Sequence, residues 1–179
     1  RVHSGLDQGA GIRLLTGDSS IYVYTNDISL PGLMKAAADA RTALKQDSGE
    51  PQVLTLVREG TEKRSAAVSP ISIDQAVELV HAADNEARSA GDKIRQVLVR
   101  YRSSDQKVQV ANSLGKMVTD YRNRTIMIVH VVAAEGTVVQ TGYESLGSCN
   151  DNSMFTRNEA LEMAAVSARR ALMLLGAKP

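Results

Sequence analysis

Tryptophan is absent from the 179 residues, aromatic side chains make up only 3%, and cysteine occurs once. Each shortage closes a class. A single thiol, Cys149, rules out an intramolecular disulfide framework and favours a reducing compartment, so the cytoplasm is the expected location. Five tyrosines and Phe155 are a thin foundation for a base-stacking platform. Charge of one sign is also missing: 21 Lys+Arg stand against 20 Asp+Glu, a formal +1. No global field exists to hold a phosphate backbone, and nucleic acid is not implied as a partner. Long apolar runs are lacking too. The stretch from Ile126 to Ala134, interrupted by His130, falls far short of the roughly 20 residues that cross a bilayer, so no membrane association is expected.

What is present is a globular composition, with 43% hydrophobic and 23% charged residues. Ile12 to Leu15 and Ile21 to Tyr24 are β-prone runs separated by Thr16-Gly17-Asp18-Ser19-Ser20, which reads as a hairpin. Ser29 followed by Leu30-Pro31 opens a helix to about Leu44, and the polar run Gln46 to Pro51 reads as a linker. Residues 52–69 read as an extended excursion. Ser72-Ile73-Asp74-Gln75 is a capping box, and a second helix follows with apolar positions at three-and-four spacing until Gly91. From Ile94 the period becomes two. Turn chemistry at Ser103-Ser104-Asp105, at Asn112 to Gly115, around Tyr121 to Arg124 and at Glu135-Gly136 divides this stretch into an antiparallel meander of roughly four or five strands. Thr156-Arg157-Asn158-Glu159 caps a third helix whose Ala160, Ala164, Ala168 and Ala171 form a face small enough to lie close to a sheet. The expected class is α+β: an antiparallel meander packed with helices, preceded by a hairpin and helix. The expected organisation is residues 1–48 as the remainder of a first amino-terminal subdomain, 49–70 as linker or excursion, and 71–179 as a second subdomain.

Chemistry is harder to find. His3, His81 and His130 are far apart, and none has a Glu, His or Cys at a zinc-binding helical spacing. His81 with Asp84 and Asn85 could place two ligands on one helix face, but a surface histidine beside an acid is the plainer account. His130 sits in an apolar strand, where a hydrogen-bonded core or interface position is preferred. Cys149, in Gly147-Ser148-Cys149-Asn150-Asp151, has no histidine that spacing nominates as its base, and an inert thiol is the preferred reading. Gly9-Ala10-Gly11 precedes a strand instead of opening a helix, which favours a tight turn or close backbone approach over a phosphate loop. Arg95, Arg100, Arg102, Lys107, Arg122 and Arg124 could share one sheet face, which alternation around apolar partners makes a solvated outer face. No catalytic, cofactor-binding or metal-ligating residue is assigned.

Several segments, taken in order, resemble the amino-terminal half of the TldD/PmbA family of zinc metallopeptidases, also described as modulators of DNA gyrase. They are Gly9 to Leu15, Tyr22 to Ser29, Ala83 to Arg88, Val110 to Gly115, Asp120 to Arg122 and Gln140 to Gly147. The likeness covers most of residues 9–176 and is weakest over 52–69. The Gly142-Tyr143-Glu144 segment and the Ala-rich final helix look more like the TldD side. The resemblance implies a zinc site built from an HExxxH helix and a later cysteine in a carboxy-terminal domain beyond Pro179. No zinc is therefore expected in this chain, and Cys149 does not match the family's ligand.

The resemblance also implies a noncatalytic portion that shapes access for unfolded or extended peptides. It implies a homodimer, or a heterodimer with a related subunit. The alternative is a free-standing peptide- or nucleic-acid-binding module. The chain, which opens on Arg1 without an initiator methionine, is expected to be part of a longer one.

Overall fold

A computed structural model describes residues 1–44, 55–58, 71–149 and 151–177. The expected linker at Gln46 to Pro51 and most of the 52–69 excursion lie outside the described residues. The chain forms two compact units, Arg1–Val53 and Leu54–Pro179.

In the first unit, β1 (Ala10–Thr16) pairs antiparallel with β2 (Ser19–Thr25) through a two-residue turn whose Gly17 has φ +51°. Positive φ is strained for a residue with a Cβ, which is why glycine stands there. Helix α1 (Leu30–Ala43) follows. The Ser29 side chain accepts from the Gly32 N–H at 3.2 Å, and the Asp27 carboxylate in turn accepts from the Ser29 N–H at 3.0 Å. Pro31 sits in the first turn, where its missing donor costs nothing. Ala36 and Ala40 are the buried residues of this helix.

The second unit carries the larger core. A two-residue strand, β3 (Val57–Arg58), leads by way of helix α2 (Ile73–Ser89) into β4 (Ile94–Ala111), β5 (Lys116–Glu135) and β6 (Val138–Cys149). Helix α3 (Arg157–Leu175) closes it. The capping box at Ser72 forms in full: its hydroxyl accepts from the Gln75 N–H at 3.2 Å, and its own N–H reaches the Gln75 side chain at 3.1 Å. Strand β5 is central, with β4 antiparallel on one side. On the other side lie β6, antiparallel, and β3, parallel.

The meander therefore has three long strands, not four or five. Ser103-Ser104-Asp105 and Tyr121 to Arg124 are not breaks. They face each other in register, Ser103 opposite Thr125 and Asp105 opposite Asn123. The Ser103 and Thr125 hydroxyls are 3.1 Å apart, and the Asn123 amide donates to the Asp105 carboxylate at 2.6 Å. Residues that terminate strands when unpaired extend this one because each meets a polar partner across the ladder. The true hairpin turns fall at Asn112–Gly115 and at Gly136-Thr137, where Gly136 has φ +59°.

Both helices pack on one face of this sheet. Met127, Val129, Val131 and Ala133 of β5 are buried against Leu79, Ala83 and Ala87 of α2 and the alanine stripe of α3, joined by Val97, Val99 and Tyr101 of β4. Small residues set the spacing. Gly142 of β6 lies so close to α3 that an added Cβ would be 1.8 Å from the Ser167 carbonyl oxygen. The buried Ser167 hydroxyl donates to the Val129 carbonyl at 3.3 Å, satisfying a polar group that would otherwise be lost in the core. The Ala-rich face read from the sequence is this contact.

Candidate functional site

The strand period divides the sheet residues between two environments. Odd-numbered β5 positions from 127 to 133 point into the helices, so the even ones, Ile126, Ile128, His130 and Val132, lie on the face opposite α2 and α3. Register carries Leu98, Arg100 and Arg102 of β4 and Tyr143 of β6 onto that same face. It is partly apolar and open: Ile126 is 38% exposed and Tyr143 49%.

Four of the six basic residues considered from the sequence do share this face. Arg100 and Arg102 on β4 lie opposite Ile128 and Ile126, while Arg122 and Arg124 on β5 lie opposite Gln106 and Ser104. Lys107 does not. It pairs with Tyr121 on the opposite side of the ladder, its ammonium 5.5 Å from the centre of that ring. Arg95 sits at the bulge between Ile94 and Gln96 and falls out of the alternation. Arg122 is held by Asp120 at 2.6 Å, whereas Arg100, Arg102 and Arg124 make no ion pair among the described residues.

Beside these guanidinium groups runs the outer edge of β4. Its 18 residues pair with β5 alone, so one side of the strand presents unpartnered N–H and C=O groups among the described residues. Neither proline nor glycine interrupts it. This edge was not legible from sequence, because the expected turn at Ser103 cut it in half. Only the register, which sets Ser103 against Thr125 and Asp105 against Asn123, reveals its length.

The histidines do not converge. His81 is exposed on α2, and the carboxylate of Asp84, three residues on, is taken by Arg88 in a two-pronged contact at 2.8 and 3.2 Å, which holds that guanidinium's pKa above its ordinary value. His130 is half-buried on the face opposite α2 and α3, its ring 6.5 Å from that of Tyr143. It is therefore not a core histidine. Cys149 is exposed at the end of β6, opposite Arg124. Gly9 and Gly11 resolve as close approach: a Cβ at either would meet the hydroxyl of Tyr24 or Tyr22 at 2.1 Å. Burial raises the pKa of the Tyr101 phenol, whose ring meets Phe155 edge-on at 5.8 Å. Among the described residues no three His, Cys, Asp or Glu side chains stand close enough to hold a metal ion, so these residues do not fit a zinc site.

The PmbA/TldA metallopeptidase central domain profile matches residues 67–175, and the PmbA/TldA metallopeptidase domain 1 profile matches residues 1–44. The chain belongs to the PmbA/TldD metallopeptidase family. It is 27% identical over 99% of its length to a protein named metalloprotease from Methanothermobacter thermautotrophicus, of which it covers 39%. It is 24% identical over 86% of its length to the metalloprotease TldD homolog of Buchnera aphidicola from Acyrthosiphon pisum, covering 32% of that protein. Against the crystal structure of a Thermotoga maritima protein described as a candidate modulator of a DNA gyrase, the TM-score is 0.66 at 16% identity, over 96% of this chain and 39% of that one. That likeness concerns the fold. The chain thus spans about a third of the length of the curated PmbA/TldD relatives it matches. No helix among the described residues is long and apolar enough to cross a membrane.

Proposed function

We propose that this chain is the noncatalytic, amino-terminal portion of a TldD-like zinc metallopeptidase, one that holds extended peptides and takes part in dimer assembly. The observation that carries the reading is the uninterrupted outer edge of β4, attached to a helix-backed core and unpaired among the described residues. An open edge is a template for strand addition, in which main-chain hydrogen bonds supply the affinity for an extended segment and its alternate side chains supply specificity. A peptidase acting on unfolded segments needs such a template for extended backbone. Support for assembly comes from the face opposite α2 and α3, where Ile126, Val139 and Tyr143 remain substantially exposed next to the half-buried Ile128 and Val132. The zinc and its ligands belong, on this reading, to residues outside this chain.

The test is direct. The chain, purified away from contaminating protease, is mixed with unstructured peptides with and without zinc while binding and cleavage are followed together, and its mass is measured by sedimentation across a concentration series. Binding without cleavage and mass rising with concentration are expected. Zinc-dependent hydrolysis that a chelator abolishes would show that the chain carries its own chemistry. A monomer at every concentration would remove the assembly role.

A further inference from the structure

We infer that the β4 edge selects acidic segments: it takes an extended peptide carrying Asp or Glu at alternate positions. The inference rests on the strand-holding function proposed above and adds to it the charge of the occupant.

The strand itself is unbalanced. Arg95, Arg100, Arg102 and Lys107 stand against the single carboxylate of Asp105, which already accepts from Asn123. Arg100 and Arg102 are two residues apart, so they project from the same face, and Arg124 on the neighbouring strand lies beside them, opposite Ser104. None of the three is neutralised by an ion pair among the described residues. A strand added to β4 would run about 4.8 Å away, with every second side chain on this face. Acidic residues at that period would meet Arg100 and Arg102, and opposite charges placed across a ladder stabilise it. A basic peptide, or a second copy of this net-positive strand, brings like charges together on the same face.

Guarding is the competing account, since charges on an edge also deter unwanted pairing. The two accounts diverge on charge reversal. The test measures binding to the chain by fluorescence anisotropy, at low and moderate salt, of labelled peptides about eight residues long. They carry Glu, Gln or Lys at alternate positions, and a further Glu peptide is N-methylated at alternate backbone amides. The Glu peptide is expected to bind tightest and to weaken with salt, and N-methylation to abolish its binding. Arg100→Glu with Arg102→Glu, both exposed, should weaken the Glu peptide by about tenfold and favour the Lys peptide. Unchanged melting of the double variant checks that it is folded.

Equal binding of the Glu, Gln and Lys peptides, still lost on N-methylation, would overturn charge selection while leaving the strand-holding function intact. Binding of the Glu peptide that survives N-methylation would show mere electrostatic attraction and overturn the inference. Absence of binding by every peptide would overturn both it and the function it rests on. A reversed variant that aggregates and binds no peptide would establish the edge charges as guards.

Discussion

Replacing Gly142 by alanine tests the contact on which the larger core depends. The added methyl would lie 1.8 Å from the Ser167 carbonyl oxygen, 2.8 Å from its carbonyl carbon and 3.0 Å from the Ala171 nitrogen. All three are main-chain atoms of α3, so no rotamer change relieves the clash, and the helix must retreat by about 1.6 Å to restore an ordinary 3.4 Å contact. Overpacking a core costs about 1–3 kcal/mol where side chains can adapt, and a rigid helix backbone places this case at the upper end. The retreat also breaks the hydrogen bond from Ser167 to the Val129 carbonyl, worth about 1 kcal/mol. The expected loss is about 3–4 kcal/mol, or roughly 10–15 °C in Tm for a unit of this size. Denaturant unfolding followed by circular dichroism reads it, with Gly147→Ala as the control. Gly147 lies on the same strand, but the nearest atom to its added methyl, the Thr125 carbonyl oxygen, is at 3.8 Å, an ordinary contact. That variant should unfold within about 0.5 kcal/mol of the parent. If the two variants unfold at the same denaturant concentration, α3 is not seated on β6 as described and the account of the core is wrong.

Two further perturbations address the ends of helices. Ser72→Ala removes the hydroxyl that accepts from the Gln75 N–H, while the N–H of residue 72 can still donate to the Gln75 side chain; the loss should cost about 1 kcal/mol in denaturant unfolding, and Ser72→Asp should recover most of it. An alanine variant with the parent's midpoint would deny the hydroxyl cap any role. Asp27, before α1, has its pKa lowered by its hydrogen bonds to the Ser29 side chain and then its backbone, and Asp151 by the Ser153 backbone and then its side chain. Because both pKa values lie below their unfolded values, the stabilisation is complete above the ordinary aspartate range and disappears as pH falls through the depressed folded values, below about 4. Asp27→Asn should flatten the part of the acid melting profile belonging to α1, and an unchanged profile would refute the assignment.

Legibility from sequence followed how local each determinant is. Ser29 with Pro31, and Ser72 with Gln75, fix helix starts through partners one to three residues away, so the pattern of letters suffices. The alanine face of α3 was equally plain, since a stripe of small residues at helical spacing leaves few other uses. Strand continuity was not. Ser103 and Asp105 read as a turn because their partners, Thr125 and Asn123, are 22 and 18 residues away. The basic residues show the same limit. Alternation correctly joined Arg100 to Arg102, but placing Lys107 on the other face and Arg124 beside Arg102 required the register.

The division of the sheet into a covered and an open half bears on how such a region could serve a peptidase. Where α2 and α3 cover it, the alternate residues from Met127 to Ala133 are buried in the core, and Gly142 on the neighbouring strand lies too close to the α3 main chain to admit a methyl group. Towards Asn112 the same two strands continue with exposed residues such as Ser104, Gln106 and Gln109 on β4, held largely by their own ladder and by polar side-chain pairs. Adding a strand costs least ordering entropy where the template is already fixed, and side-chain pairing along the ribbon adds to it. Arg100 and Arg102 lie at the junction of the two regimes. On the proposed function, a segment docked there would be anchored beside the helix-backed core, with its alternate side chains facing Arg100 and Arg102, while its remainder ran along the exposed part of β4.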